Sequence, residues 1–543
     1  MFFFKYRLVV LLIIDLLFFS ANICAQNAPQ IYIRPLSVNG LQGIHSYAYG
    51  QANGKWLIAG GRTDGLHQRQ PFSAFDQENR NTQLIVIDPT LQQQWSVPLS
   101  NLSTNLQEQL SATNAQFYQN ENYLYIIGGY GYSPSLDEHI TFPKIIALDV
   151  PNIINAIINN QPIENYFRQF VNEDFAVTGG KIGKINNKYY LVGGHRFDGA
   201  YNPMGPNHGP GFEQEYTNKI KKFNLFDNGA DIYLDDYEEI SDSIAFHRRD
   251  YNMLPQILPD NTEALTAFSG VFQYNANIPY LHCTEINSTT YTINNTFAQY
   301  YNHYHCPVLP AYSQNDKQMH NIFFGGIAQY YDSLGILVQN SDVPFVKTIA
   351  RITRDENGNL SEHKLPIEMP NLLGAGAELI LNENLPLYPN GVLKLDSITA
   401  DTTLIGHILG GIASSAPNVF WENTGNQSNA SAQLFQVFVI KNNSTPTNHP
   451  INEQSTNGLQ MQVFPNPNKS IFSIQFFNQS NNSIDLSISD PKGTILLQEK
   501  FQNLPIGYNI IQKNIENIQN GGTYWVSLSN EHYKATQKII VEQ

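Results

Sequence analysis

The feature that most constrains this chain is an apolar run that ends in two adjacent glycines and recurs along the sequence. Examples are GKWLIAGG, NYLYIIGG and KYYLVGG, and one copy, ALTAFSG, has serine in place of the first glycine. Self-similarity of this kind is typical of repeat architectures, in which each copy is one supersecondary unit. The sequence therefore predicts six related units. The six runs end at Gly61, Gly129, Gly194, Gly270, Gly326 and Gly411.

Each run lies between the signals of an antiparallel sheet. Turn-prone clusters such as QANGK and INNK precede most of the runs, and Asn and Gly tolerate the positive φ of tight hairpins. A further strand-like segment, such as QLIVIDP or KIIALDV, follows most of the glycine pairs. A sheet of three or four strands buries both faces only by stacking on its neighbours. We expect the glycines to permit an unusual φ or the close approach of a neighbouring sheet.

This pattern resembles the Kelch repeat, whose copies form β-propellers with four-stranded blades. The resemblance covers roughly residues 31–442 and implies an all-β fold with a six-bladed Kelch-type β-propeller. The copies are about 70 residues apart, which is longer than the usual repeat of about 50 residues. The fourth copy lacks its first glycine, and this predicts a distorted blade.

The extra length lies in polar stretches between the glycine pairs and the next strands. Equivalent loops of a closed ring emerge on one face, so these insertions predict a single binding surface. Aromatic rings there suit sugars, and arginine forks suit carboxylates. The alternative for each residue is that it packs its own loop or pairs with a neighbour. The candidate ligand-binding residues are Arg62, His67, Tyr130, Tyr132, His195, Arg196, Arg248, Arg249, His305, Tyr330 and Trp421, with His45, Tyr201 and His208 on the same rim.

The segment FHRRDY contains the sharpest of these candidates. Paired Arg248 and Arg249 near the mouth of a propeller suit an anionic ligand. The structural alternative is that Asp250 and the blade backbone absorb both charges. Two acidic segments, LDDYEEISD and DENGN, suggest calcium loops, but the first lacks the spaced ligands of a known site and the second is typical of a hairpin turn. We expect no metal and no cofactor.

The N-terminus predicts a secretory signal peptide over residues 1–25. Lys5 and Arg7 precede an apolar stretch, and small residues lead up to Ala25. An uncleaved anchor is the alternative, but the run is short for a bilayer and contains Asp15. No later segment predicts a transmembrane span. The net charge of −15 argues against a nucleic-acid partner.

Only Cys283 and Cys306 follow the leader. An even pair in an exported chain predicts a disulfide. The alternative is a metal site that adds His282, His303 and His305, although an adjacent His-Cys pair departs from recognised zinc spacings.

The composition changes at the end of the repeats. Residues 26–443 are the expected propeller, residues 444–458 a polar linker, and residues 459–543 alternate again as short strands of a small β-sandwich. The tail resembles the C-terminal sorting domain of the type IX secretion system, through VFPNP, ISDPKGTIL, NGGTYWVSL and the last strand QKIIVEQ. The resemblance implies Sec-dependent export, recognition by the type IX machinery, and secretion or attachment at the outer membrane and cell surface.

Three functional hypotheses follow. The first is a secreted or cell-surface binding module for a glycan or a protein, which we favour over an enzyme because no known catalytic motif is present. The second is a carbohydrate-active enzyme, because some six-bladed Kelch proteins resemble sialic acid mutarotases. In that case Arg248 or Arg249 would act with Glu215 in the propeller funnel. The third is a structural surface protein without a ligand. A copper oxidase of the galactose oxidase type is not matched by any motif in the chain.

Overall fold

A computed structural model describes residues 28–68, 74–202, 211–301, 303–333, 336–440, 461–464, 471–478, 483–502, 504, 507–515, 521–530 and 534–541. The chain divides into two compact units, residues 1–443 and 444–543. The expected signal peptide (residues 1–25) and linker (residues 444–458) lie outside the described residues.

The first unit contains six antiparallel blades of four strands each, one of which gains a short fifth strand. The N-terminal strand β1 (Gln30–Leu36) belongs to the last blade. The first blade consists of β2 (Ala48–Ala52), β3 (Lys55–Ala59), β4 (Gln83–Asp88) and β5 (Gln93–Pro98). Helix α1 (Thr104–Leu110) leads to the second blade. That blade contains β6 (Gln116–Asn120) and β7 (Tyr123–Ile127), an inserted hairpin of β8 (Tyr130–Ser133) and β9 (Glu138–Thr141), then β10 (Lys144–Asp149) and β11 (Phe167–Val171), with helix α2 (Val150–Ile158) before β11.

The third and fourth blades follow the same plan. The third contains β12 (Lys181–Ile185) and β13 (Lys188–Val192), an inserted hairpin of β14 (His195–Gly199) and β15 (Phe212–Tyr216), then β16 (Lys219–Asp227) and β17 (Ile232–Ser241). The fourth contains β18 (Asn252–Ile257), β19 (Glu263–Phe268), β20 (Cys283–Ile286) and β21 (Tyr291–Asn294).

The last two blades carry further small sheets. The fifth contains β22 (Val308–Ser313) and β23 (Gln318–Ile327), an inserted hairpin of β24 (Tyr330–Ser333) and β25 (Ile336–Gln339), then β26 (Phe345–Arg354) and β27 (Leu360–Glu368). The remaining strands are β28 (Leu372–Ala375), β29 (Glu378–Leu381), β30 (Leu393–Lys394), β31 (Thr402–Leu409), β32 (Ile412–Ser414), β33 (Ser428–Ala430) and β34 (Leu434–Ile440). The sixth blade has the order β29-β31-β34-β1, β28-β32-β33 form a separate small sheet, and β30 pairs with β22.

Two sets of contacts close the ring. Strand β1 pairs antiparallel with β34, so the N-terminal segment supplies the outer strand of the last blade. Near the axis, the segment that precedes each blade, which we call its lead-in, contributes one residue to a ring of hydrogen bonds. The backbone N–H of this residue donates to the backbone carbonyl of the equivalent residue of the preceding blade. We call these six residues the axial ring. Its bonds run from Ser46 to Gly376 (2.7 Å), Asn114 to Ser46 (3.1 Å), Gly179 to Asn114 (3.1 Å), Asp250 to Gly179 (2.8 Å), His305 to Asp250 (3.0 Å) and Gly376 to His305 (2.9 Å).

The glycine pairs lie at the junctions between blades. Gly128 and Gly129 follow β7 with φ of +64° and +92°, and a Cβ on Gly128 would lie 1.9 Å from the Val177 carbonyl oxygen of the next blade. The N–H of Gly129 donates to that same oxygen at 2.9 Å. Both expected roles of the glycines, unusual φ and close approach, are therefore confirmed. The same bond joins Gly61 to Ala112, Gly194 to Arg248 and Gly411 to Ile44 at 2.8–2.9 Å.

The fourth blade does not show the distortion that its missing glycine predicts. Its four strands pair without a shift in register. Ser269, in the position of the first glycine, adopts a φ of +54°. A serine thus accepts the left-handed conformation that the junction requires.

The expected disulfide is not formed, because Cys283 and Cys306 are both free thiols. Both are buried in one apolar cluster with Phe268 and Phe323. Burial raises the pKa of Cys283 to about 11 and that of Cys306 to about 12, so neither is available as a thiolate. The two cysteines are core residues of the blade junction.

The two acidic segments have structural roles. LDDYEEISD lies mostly in β17, where Glu238 and Glu239 pair with lysines of the neighbouring strand β16 at 3.1 and 2.7 Å. DENGN forms the turn between β26 and β27, closed by the N–H of Gly358 on the Asp355 carbonyl at 3.0 Å. In the part of the chain that the structure describes, no cluster of His, Cys, Asp and Glu could hold a metal ion.

The second unit is a small β-sandwich. Its strands are β35 (Met461–Phe464), β36 (Ile471–Asn478), β37 (Ile484–Ser489), β38 (Ile495–Phe501), β39 (Gly507–Asn514), β40 (Gly522–Ser529) and β41 (Lys534–Val541). They form two sheets, β35-β36-β39 and β38-β37-β40-β41, which share one apolar core that includes Phe472, Leu486 and Val526. The predicted fold, a six-bladed propeller followed by a small sandwich, is confirmed. None of the described helices is both long and apolar enough to span a bilayer.

Candidate functional site

A cavity of about 720 Å³ lies at the propeller axis, and we call it the funnel. All six residues of the axial ring line it, as does the residue before each of them in the chain. The residue that follows each glycine pair, or its equivalent in the fourth blade, also lines it. Each blade therefore contributes three lining residues at equivalent positions. The inserted segments add the remaining wall.

The funnel brings together most of the residues that the sequence singles out. Those that line it are Arg62, His67, Tyr130, His195, Arg249, His305 and Trp421, with His45 and Tyr201. Tyr132, Arg196, Arg248 and Tyr330 do not line it. His208 lies outside the described residues.

The side chain of Arg249 is a cation on the funnel wall, and its ion pair with Asp250 is long. The Arg249 Nε lies 3.9 Å from Asp250 Oδ2 and makes no hydrogen bond to any residue that the structure describes, although only 17% of the side chain is exposed. The guanidinium carbon lies 5.4 Å from the centre of the Phe272 ring and 6.0 Å from that of Tyr216. Arginine stays protonated at any ordinary pH. The funnel thus contains a fixed positive charge with hydrogen-bonding capacity to spare.

The neighbouring Arg248 is a structural residue, which corrects its interpretation as a ligand contact. Its side chain is fully buried, and its guanidinium donates to the backbone carbonyls of Ser269 at 2.6 Å and Ala245 at 3.3 Å. It also lies 4.1 Å from the centre of the Tyr280 ring. Its hydrogen-bonding groups are used to hold the fourth blade.

Three other candidates are satisfied away from the funnel. Arg196 pairs with Asp198 at 2.6 Å and Glu173 at 2.8 Å. Tyr132 donates its hydroxyl to Asp137. Tyr330 packs edge-on against Tyr300 in the β24-β25 region. The enzyme hypothesis assigns Glu215 a role as acid or base. Glu215 is exposed on β15 and does not line the funnel.

The second arginine of the funnel, Arg62, is already neutralised. Its Nε and Nη2 donate to the two carboxylate oxygens of Asp64 at 2.8 and 2.6 Å. Its Nη1 donates to the Asp76 carbonyl at 3.0 Å. This bidentate pairing orders the insertion of the first blade and leaves Arg249 as the stronger anion-binding group.

The buried histidines of the funnel are neutral. Burial lowers the pKa of His67 to about 4, and it lowers the pKa of His195 well below the ordinary value with help from the nearby Arg249 charge. His195 Nδ1 lies 2.6 Å from Gln214 Nε2, so it accepts a hydrogen bond from that amide. At the axial ring, His305 Nε2 contacts Glu378 Oε1 at 2.6 Å. Burial raises the pKa of Glu378, but Lys181 and His305 outweigh burial and hold it below the ordinary value.

One side of the funnel is an aromatic wall. His67 is at its centre and packs against Phe75 (5.6 Å between ring centres), Tyr201 (4.7 Å) and Phe420 (5.2 Å). The hydroxyl of Tyr130 donates to the Gly199 carbonyl at 2.8 Å, which links two blades. Rings with polar edges suit ligands that have both apolar and hydroxylated faces, as sugars do.

Several lining residues were not anticipated from the sequence. Asp250 and Tyr304 occupy lead-in positions equivalent to Ser46 and His45, so an alignment of the repeats would have found them. Other unanticipated residues lie outside these repeated positions and have no periodic signal. They include Phe75, Phe197, Gln214, Tyr216, His247, Phe272 and Phe420.

Comparison with known proteins identifies the tail. Residues 462–542 match the family of secretion system C-terminal sorting domains. The chain is therefore exported by the type IX secretion system, either to the cell surface or into the medium. No curated protein matches the chain.

Comparison with solved structures concerns the propeller. The chain is similar to the structure of YjhT, with 11% identity, coverage of 72% of this chain and 97% of the other, and a TM-score of 0.39. It is also similar to the WD40 domain of SCAP from fission yeast, with 8% identity, coverage of 94% and 90%, and a TM-score of 0.24. A third similarity, to a glycoside hydrolase family 43 arabinoxylan arabinofuranohydrolase from Bacillus subtilis in complex with cellotetraose, has 8% identity, coverage of 93% and 94%, and a TM-score of 0.25. These similarities are too distant to carry an argument about function.

Proposed function

We propose that this protein is a secreted or cell-surface binding module whose funnel takes an acidic saccharide. The observation that carries the proposal is the Arg249 guanidinium, a cation on the wall of an aromatic cavity whose nearest carboxylate among the described residues, that of Asp250, lies 3.9 Å away. A ligand carboxylate in the funnel would give this cation a charge-assisted partner. The adjoining rings of Tyr216 and Phe272 supply apolar faces for a sugar ring.

Titration calorimetry on the full-length protein tests the proposal. The probes are glucuronic acid and N-acetylneuraminic acid, with glucose and N-acetylglucosamine as neutral counterparts. We expect the acidic sugars to bind and the neutral ones to bind about tenfold more weakly or not at all, since a charge-assisted pair contributes about 1.5–3 kcal/mol. Arg249→Gln should remove the preference for acids. Arg249→Lys should restore only part of it, because an ammonium cannot form the bidentate pair.

The control is Arg196→Gln, which removes a half-exposed arginine that does not line the funnel. It should leave binding unchanged. Equal binding of acidic and neutral sugars, or an Arg249→Gln variant with wild-type affinity, would contradict the proposal. Failure of every sugar to bind would favour a protein ligand or a structural role instead.

The alternative is a sugar-isomerising enzyme of the sialic acid mutarotase kind, now with different residues. Asp250 and the neutral His195 line the same funnel as Arg249, so a carboxylate and an imidazole are available to exchange protons with a bound sugar. Exchange spectroscopy of the two anomers of N-acetylneuraminic acid would detect such catalysis. Catalysis that is lost in Asp250→Asn while binding remains would favour the enzyme over the binding module.

A further inference from the structure

The loops of the first and last blades meet on the funnel wall and are joined there. Asn423, which is 1% exposed, donates its side-chain amide to the carbonyls of Leu66 at 2.5 Å and His67 at 3.0 Å. The N–H of Leu66 in turn donates to the Ser428 hydroxyl at 2.9 Å. These bonds join the first and sixth blades at the seam, which is the junction where the ring closes. The wall at this seam is therefore ordered before any ligand arrives.

Trp421 projects from this ordered wall. It lines the funnel, yet 52% of it is exposed. It packs edge-on against Phe420, with 5.2 Å between ring centres, and Phe420 packs edge-on against His67. The indole is thus supported from behind and keeps a large accessible surface. An exposed tryptophan that is held in place is the kind of platform on which a sugar ring stacks.

Trp421 and Arg249 lie on opposite sides of the ring of blades. Arg249 precedes the fourth blade, next to the third, whereas Trp421 lies in the segment between β32 and β33, next to the seam of the sixth and first blades. In a ring of six, these two junctions face each other across the axis. The funnel, at about 720 Å³, is in the upper part of the range for pockets that enclose drug-sized ligands. A single sugar held by Arg249 would fill only part of this volume.

We infer that Trp421 forms a second subsite, and that the funnel takes an oligosaccharide whose acidic end reaches Arg249 and whose next sugars stack on Trp421. This inference rests on the proposed function and adds to it the length of the ligand. Trp421 sets chain-length specificity, while Arg249 sets the preference for acid.

The test compares a monosaccharide with its extended form on the full-length protein. N-acetylneuraminic acid and sialyllactose are titrated into wild type, Trp421→Ala and Trp421→Phe. We expect sialyllactose to bind wild type several-fold more tightly than the monosaccharide, because its additional sugars would cover the exposed face of the indole. Trp421→Ala should lose this gain and keep wild-type affinity for the monosaccharide. Trp421→Phe should recover most of it, because phenylalanine retains an aromatic face.

The matched control is Trp525→Ala, which removes a tryptophan that is 40% exposed in the second unit. It should change neither affinity. Tryptophan fluorescence gives an independent readout, since sialyllactose should perturb the emission of wild type and leave Trp421→Phe unchanged.

The outcomes separate this inference from the proposed function. Equal affinities for the two probes, or a gain that persists in Trp421→Ala, would overturn the second subsite and leave the acid site standing. If lactose alone binds in a manner that depends on Trp421 but not on Arg249, the subsite is supported and the acidic ligand is wrong. If neither sialyllactose nor the monosaccharide binds, both proposals fail.

Discussion

The junctions between blades repeat a backbone hydrogen bond, whereas the wall of the funnel repeats positions whose side chains differ. At four of the junctions, the second glycine of the pair donates its N–H to a backbone carbonyl of the next blade, at 2.8–2.9 Å in each case. On the funnel wall, the side chain at the position directly after the glycine pair varies among the blades. In the first three blades these are Arg62, Tyr130 and His195. The backbone thus sets the ring, and side chains are free to set its chemistry.

The largest loss of stability should come from adding a methyl group to a glycine at a junction between blades. Gly128→Ala would place a Cβ 1.9 Å from the Val177 carbonyl oxygen, and backbone cannot move away cheaply. We expect a loss of more than about 4 kcal/mol in the free energy of unfolding, or no folded protein. Urea denaturation of the purified protein measures this.

Gly54→Ala is the matched control for that substitution. Gly54 also has a positive φ, +74°, but nothing lies within 4 Å of the position of its Cβ. It should lose only about 1–2 kcal/mol, the cost of the left-handed conformation. If the two variants lose equal stability, close approach between blades is not the reason for the glycine pairs.

The next largest effect on stability should distinguish the structural role of Arg248 from the role of Arg249 in the funnel. Arg248→Gln leaves buried carbonyls, including that of Ser269, without their donor, so we expect a loss of about 3 kcal/mol in the free energy of unfolding. Arg249→Gln removes a cation whose ion pair with Asp250 is long, at 3.9 Å, and should lower the unfolding midpoint far less than Arg248→Gln does. The reverse order in thermal unfolding would show that the side chains have been assigned the wrong roles. A double Arg248 and Arg249 substitution would not distinguish binding from folding.

The smallest effect should be a dependence of stability on pH that arises in the funnel wall. The pKa of His67 falls from 6.5 to about 4 on folding because the ring is buried. The unfolded chain therefore binds more protons between these values, so the stabilisation is present above pH 6.5 and lost as the pH falls towards 4. A shift of this size corresponds to at most about 3 kcal/mol. His67→Gln should show a shallower loss of stability in acid, measured as urea midpoints from pH 7 to 4. An unchanged slope would mean that His67 is solvated.

Individual residues show how far sequence reasoning reaches into the site. His195 and Phe197 line the funnel, and Arg196 between them does not, because successive side chains of a strand point to opposite faces. The sequence places all three in one insertion but does not show that this insertion forms a strand. Cys283 and Cys306 illustrate the same limit, because an even number of cysteines in an exported chain does not reveal that both belong to an apolar cluster.

The sequence by itself determined the six-bladed propeller and the identity of the tail. Both depend on local patterns, namely glycine pairs that act on the backbone within each repeat and strand motifs in a fixed order. Only the tertiary structure decided which residues share the funnel. Closure of the ring brings together lead-ins and insertions from blades that are distant in the chain, from His45 to Trp421. It also turns Arg248 into the blade and leaves Arg249 in the funnel, because the direction of a side chain depends on the packing of the neighbouring blades.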